Sequence, residues 1–221
     1  MIKSNKNILN ITNYFGIFFC LLSVLTAVPL GAITKEYIVD NFEDSAITTS
    51  LKWEFHGAIK SKIGDSLKTM EDSLGIKRKI GSNFLNISGK TNNWYVGGAR
   101  TKLKKVIDPY THFSIMIQGR GSNRSKVTVE LSEVVLQDVI KEMREKPDVY
   151  SYSIYVSWTG WKKVIIPLRK FTNKKKVVGN RAFDSKKTSP KWLKLEFLND
   201  QKEGPITLDI DNVKFVTLEK I

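Results

Sequence analysis

The sequence predicts an all-β protein, an antiparallel β-sandwich with one inserted helix. Short runs rich in Val, Ile, Tyr, Phe and Trp recur along the chain, divided by Gly, Asn, Ser and Pro. Within them apolar and polar residues alternate, the period of a strand whose two faces meet different surroundings. The outermost runs match each other: Tyr37-Ile-Val-Asp-Asn-Phe-Glu-Asp44 and Ile206-Thr-Leu-Asp-Ile-Asp-Asn-Val-Lys-Phe-Val216 each carry acidic residues at a strand edge. Paired, they would close the sandwich and bring distant carboxylates together.

Strands are expected at Tyr37 to Phe42 and Trp53 to His56. Residues 57–81, rich in Lys, Gly, Ser and Asp, read as a long loop with a helical turn near Leu67 to Met70. Further strands are expected at Phe84 to Ser88, Trp94 to Leu103, Tyr110 to Gln118, Lys126 to Leu131, Ser151 to Val156, Lys162 to Pro167, Lys191 to Leu198 and Ile206 to Val216. Gly97-Gly98 in mid-strand marks a bulge or a close backbone approach. Arg120-Gly-Ser-Asn-Arg-Ser-Lys126 lacks phosphate-loop spacing and no helix follows it, so it reads as a hairpin turn. Glu133 to Lys146 places Leu136, Val139, Ile140 and Met143 on one helical stripe ended by Pro147. That helix would cover one end of the core or meet a partner.

Residues 1–32 read as a secretory signal. Lys3 and Lys6 precede an apolar run from Gly16 to Val28, and Ala32 stands at the cleavage point. The run is shorter than the ~20 residues that span a bilayer, so no transmembrane span is expected after cleavage, an uncleaved anchor being the alternative. The expected location is periplasmic or secreted, in a bacterium. Cys20, the one cysteine, lies in the apolar run after Phe18-Phe19 and has no lipoprotein setting. The exported domain, residues 33–221, therefore has no disulfide and no thiolate metal site. The whole chain carries a net charge of +14, spread over many short basic groups. This is either a solvated Lys-rich surface or an attraction to an anionic polymer; export disfavours nucleic acid.

Asp40, Glu43, Asp209 and Asp211-Asn212 offer oxygen donors near the two terminal strands, and the only histidines, His56 and His112, lie in unrelated strands. That set suits calcium rather than zinc. The alternative is that these carboxylates solvate an outer sheet face. No serine elbow, paired-histidine motif or glycine-rich cofactor turn is present, and the protein is read as non-catalytic.

Asp-Asn-Phe-Glu near the start, Trp-Tyr-Val-Gly-Gly-Ala, Gly160-Trp-Lys-Lys-Val-Ile-Ile-Pro-Leu-Arg-Lys-Phe171 and the closing Leu-Asp-Ile-Asp-Asn-Val-Lys-Phe together resemble the galactose-binding-like β-jelly rolls. The resemblance is to the carbohydrate-binding modules beside bacterial glucanases and to the complex I assembly factor domain, and it covers nearly the whole exported chain. It implies a structural calcium held by Glu43 and Asp211. It also implies a concave sheet face whose exposed aromatics, here Trp94, Tyr95 and Tyr152, stack on a polysaccharide or glycan. Where the family would place another aromatic, this chain has Leu198-Asn199. In the alternative, the rings fill the core. The leading expectation is an exported glycan-binding protein. The other is a structural subunit with protein partners in an envelope or filament assembly, like the spirochaete flagellar filament sheath proteins.

Overall fold

The computed structural model describes residues 33–44, 53–65, 69–71, 77–79, 81, 83–121, 125–132, 148–173, 182–184 and 189–218. In chain order the strands are β1 (Ile33–Asp40), β2 (Glu54–Gly57), β3 (Ile59–Asp65), β4 (Thr69–Glu71), β5 (Lys77–Lys79), β6 (Asn83–Thr91) and β7 (Tyr95–Lys102). They continue as β8 (His112–Arg120), β9 (Ser125–Ser132), β10 (Val149–Val156), β11 (Thr159–Pro167), β12 (Thr172–Asn173), β13 (Trp192–Asn199) and β14 (Gly204–Leu218). A 3-10 turn, Leu168–Lys170, follows β11.

Two six-stranded sheets form the sandwich. The first runs β11-β8-β14-β6-β3, with β1 also paired to β14; the second runs β12-β10-β9-β13-β7-β2. All pairings are antiparallel. The terminal strands lie side by side as expected, with Tyr37 opposite Phe215 and Asp40 opposite Val213. One long strand accepts both because β14 pairs with β6 over its first half and with β1 over its second.

Alternation decides what is buried. The first sheet turns Leu85, Ile87, Phe113, Ile115, Ile117, Leu208, Ile210 and Phe215 inward, and the second answers with Ala99, Val127, Val129, Leu131, Leu193, Leu195 and Phe197, all fully buried. These two apolar faces are the main source of stability, because burial of nonpolar area is the dominant favourable term in folding.

Several expectations are corrected. The segment after β2 is not a long loop with a helical turn: it holds β3, β4 and β5, and Met70 lies in the β4–β5 ribbon. Extended backbone there draws its pairing from β6 and from the ribbon itself, which weak local periodicity could not reveal. Arg120 and Lys126 do not flank a hairpin, since β8 belongs to the first sheet and β9 to the second. The connection is a crossing between layers, as are β6 to β7 and β10 to β11. The expected leader (1–32) and helix (133–146) lie outside the described residues. Among the described residues no helix is long and apolar enough to cross a membrane.

Candidate functional site on the outer face of the second sheet

The outward side of the second sheet can be read row by row from its register. Tyr155, Lys126, Leu198 and Tyr95 stand opposite one another across β10, β9, β13 and β7. The next row is Ser153, Thr128, Glu196, Gly98 and His56, and the one beyond it Ser151, Glu130, Lys194, Arg100 and Glu54. Trp192 follows, beside Ser132 and Lys102. At roughly 4.8 Å per strand, the rings of the first row rise from backbones about 14 Å apart. Tyr95 is 37% exposed and Tyr155 58%. Between them stand Lys126 and Leu198, and the rows beyond are polar and low, with Thr128 and Ser151 buried and Thr128 Oγ1 3.0 Å from Ser153 Oγ.

The charges of this face are organised in pairs. Lys194 Nζ lies 2.6 Å from Glu196 Oε1 and 3.7 Å from Glu130 Oε2. Burial opposes the Lys194 charge, but the hydrogen bond and the nearby carboxylates outweigh it and raise its pKa above the ordinary lysine value. Arg100 bridges Glu54 at 2.7 Å and lies over the Trp192 ring, 5.6 Å from its centroid. His56 stacks on Tyr95 with centroids 6.4 Å apart. Burial, then Lys194 and Arg100, push the His56 pKa down, so the ring is neutral at neutral pH. Gly98 makes room for it: a Cβ there would fall 2.6 Å from His56 Nε2 and 2.9 Å from the Leu195 carbonyl. The close approach expected of the glycine pair is therefore found, next to a register shift between Phe197 and Leu198.

The three aromatics proposed from the sequence divide. Tyr95 is on this face. Trp94 is at its end, in the link from β6 to β7, 54% exposed, with φ +69, a region that bulky residues rarely occupy. Two backbone bonds hold it, Trp94 N to the Lys202 carbonyl at 2.5 Å and Asn199 N to the Trp94 carbonyl at 2.7 Å, while Lys202 Nζ lies 5.7 Å from its ring centroid. Tyr152 does not share the face. It pairs with Val129, points inward, and its half-buried ring packs on Phe171 at 6.0 Å. The exposed aromatic of β10 is Tyr155, which the sequence reading passed over. The signal was present in Ser151-Tyr-Ser-Ile-Tyr-Val156: Val156 and Ile154 share the parity of Tyr152, so Tyr155 falls with the serines.

The acidic residues lie elsewhere, on and beside the first sheet. Asp209 and Asp211 point outward from β14 but are fully buried, so they do not solvate a surface. Asp209 accepts from Asn86 Nδ2 at 2.5 Å and from Arg120 at 2.7 Å; burial nevertheless raises its pKa. Asp40 accepts from Phe42 N and Trp53 Nε1, each at 2.8 Å. Both are thus committed to protein donors. Asp211 Oδ2 accepts from Asn212 Nδ2 at 2.9 Å. Glu43 Oε2 accepts from Asn83 N at 3.4 Å, and Asn83 opens β6, whose Leu85 pairs with Ile210, the neighbour of Asp211. Glu43 is thereby tied to the start of β6, the strand that pairs with the first half of β14. Among the described residues no group of three or more His, Cys, Asp or Glu converges as a metal site. A cation held by Glu43 and Asp211 would draw its other ligands from carbonyl and amide oxygens, a donor mix that suits calcium.

No protein-family model matches the sequence, and no curated protein does. Solved structures do. The family 11 carbohydrate-binding module of a cellulosomal cellulase of Clostridium thermocellum superposes with a TM-score of 0.52 at 16% identity, over 86% of this chain and 98% of that one. The family 11 module from Clostridium thermocellum in complex with a β-1,3-1,4-mixed-linked tetrasaccharide gives 0.51 at 19% identity, over 84% and 98%. An exo-β-agarase gives 0.52 at 13% identity, over 84% of this chain and 26% of that one. The chain has the jelly-roll β-sandwich fold of these modules.

Proposed function

We propose that the protein is an exported, non-catalytic binding protein that takes a polysaccharide or glycan chain on the outer face of its second sheet. The observation that supports it most directly is the row that sets exposed Tyr95 and Tyr155 about 14 Å apart beside a row of polar residues. A pyranose offers an aromatic ring its flat C–H face, while its hydroxyls need donors and acceptors such as Ser153, Thr128 and Glu196. Two rings so spaced suit an oligosaccharide rather than a single sugar. Trp94 extends the surface at one end, its strained backbone being the kind that persists where a side chain must be presented. The likeness in fold to modules whose names state carbohydrate binding points the same way. Affinity electrophoresis and calorimetry against a glycan panel test it: Tyr95→Ala and Tyr155→Ala should each remove most binding, and Tyr152→Phe should leave it unchanged. Saturable binding that ignores both alanine variants would rule out this face.

Glu43 and Asp211 are the proposed calcium ligands, bracing the strands where the chain's two ends meet. Chelation should then lower the thermal midpoint, and Glu43→Gln or Asp211→Asn should abolish that sensitivity. Calcium at a hundred times its dissociation constant would contribute about 2.7 kcal/mol. A melting curve indifferent to chelator would dismiss the ion.

The net charge of +14 supports a second reading, an exported assembly subunit facing an acidic neighbour. Concentration-dependent growth in light scattering, without glycan binding, would favour it.

A further inference from the structure

The cations beside the exposed rings are arranged differently from Arg100 and Lys194. Glu54, Glu130 and Glu196 each lie within 4 Å of Arg100 or Lys194. Lys126 and Lys202 have no carboxylate partner among the described residues. Instead each stands over an exposed ring, Lys126 Nζ 5.4 Å from the Tyr155 centroid and Lys202 Nζ 5.7 Å from that of Trp94. Trp94 and Tyr155 thus each carry an ammonium group with no carboxylate beside it. A neutral sugar needs no such charge. Each ammonium contacts one side of its ring, and more than half of both aromatic residues stays exposed for stacking. A sugar lying on the open part of the ring would bring a substituent at its rim to the ammonium, where a carboxylate or sulfate gains a charge-assisted hydrogen bond.

We propose that the polymer bound here is anionic: an acidic polysaccharide whose carboxylate or sulfate groups meet Lys126 and Lys202 while its rings stack on Tyr155, Tyr95 and Trp94. This rests on the reading of the face as a glycan site and specifies the ligand class. The charge of the whole chain adds long-range attraction without selectivity, whereas the two lysines act at fixed points along the chain of sugars.

The test is calorimetry of the exported protein with polygalacturonate, a sulfated dextran and a neutral mixed-linkage β-glucan, at low and high salt. Replacing Lys126 and Lys202 together by Gln should weaken the acidic polymer by about tenfold or more, the scale of losing hydrogen bonds to charged groups. The control pair Lys60→Gln and Lys170→Gln, exposed and outside the rows of the face, removes the same total charge and should change affinity by less than about twofold, as exposed charges do. A stronger response to polygalacturonate identifies carboxylate as the group recognised, and to the dextran, sulfate. Equal or tighter binding of the neutral glucan, equal losses in both lysine pairs, or equal competition by anionic vesicles overturns the anionic assignment and leaves the glycan site standing. No binding of any polysaccharide overturns both.

Discussion

Tyr152 and Tyr155 stand three residues apart on one strand and therefore face opposite ways, one onto Phe171 and the other into solvent. At this scale the face on which a side chain lies follows from parity, and so do the consequences of single substitutions. His56 is held neutral by burial and by the charges of Lys194 and Arg100, so its folded pKa lies below that of the unfolded chain. As pH falls through the ordinary histidine range near 6.5, the unfolded chain takes up a proton that folded His56 resists. Stability is then lost on acidification and recovered above that range. Denaturant midpoints across this window should vary less in His56→Gln than in the parent, with His112, likewise depressed by burial, supplying the remainder. Arg120 presents the opposite case of a charge kept for its partner. Arg120→Ala would leave buried Asp209 with Asn86 and a more distant Lys62, and should cost about 1 to 3 kcal/mol in urea unfolding at neutral pH. Lowering the pH should shrink that loss, because Asp209 is then neutralised.

Strands fix the spacing of these residues. β7 serves as the hinge of the site: its first residue is Tyr95, its bulge re-aims the chain, and its Gly98 lets the His56 ring lie against the sheet. Gly98→Val should drive His56 and β2 away from the sheet edge, costing about 1 to 3 kcal/mol as an overpacked site and weakening the proposed glycan binding through Tyr95, on which His56 stacks. Thermal melts and titrations on the one variant would show both effects together. Gly97-Gly98 was legible in the sequence as an irregularity. The group that approaches Gly98 was not, because His56 arrives from a strand distant in the chain.

For the molecule as a whole, the pairing of β1 with β14 makes one cooperative unit out of chain ends nearly the full domain apart. Deleting residues 33–40 would strip β14 of one of its two partners over Lys214 and Phe215, leaving only β8, and should abolish a single sharp urea transition. Phe197→Ala, deep between the sheets, should cost about 3 to 5 kcal/mol without altering the outer face. Because most strand contacts join residues far apart in sequence, folding is expected on the millisecond to second scale by stopped flow.

By itself the sequence determined the class of the fold, most of its strands and the meeting of its ends, because period-two alternation and turn residues are local properties of the chain. It also marked Trp94 and Tyr95. Only the tertiary structure decided that Tyr155 rather than Tyr152 faces outward, that β8 and β9 lie in different layers, and that Asp209 is buried against Arg120. Alternation separates two faces of a strand without saying which one another sheet will cover; that choice is made when distant apolar faces come together and exclude water between them.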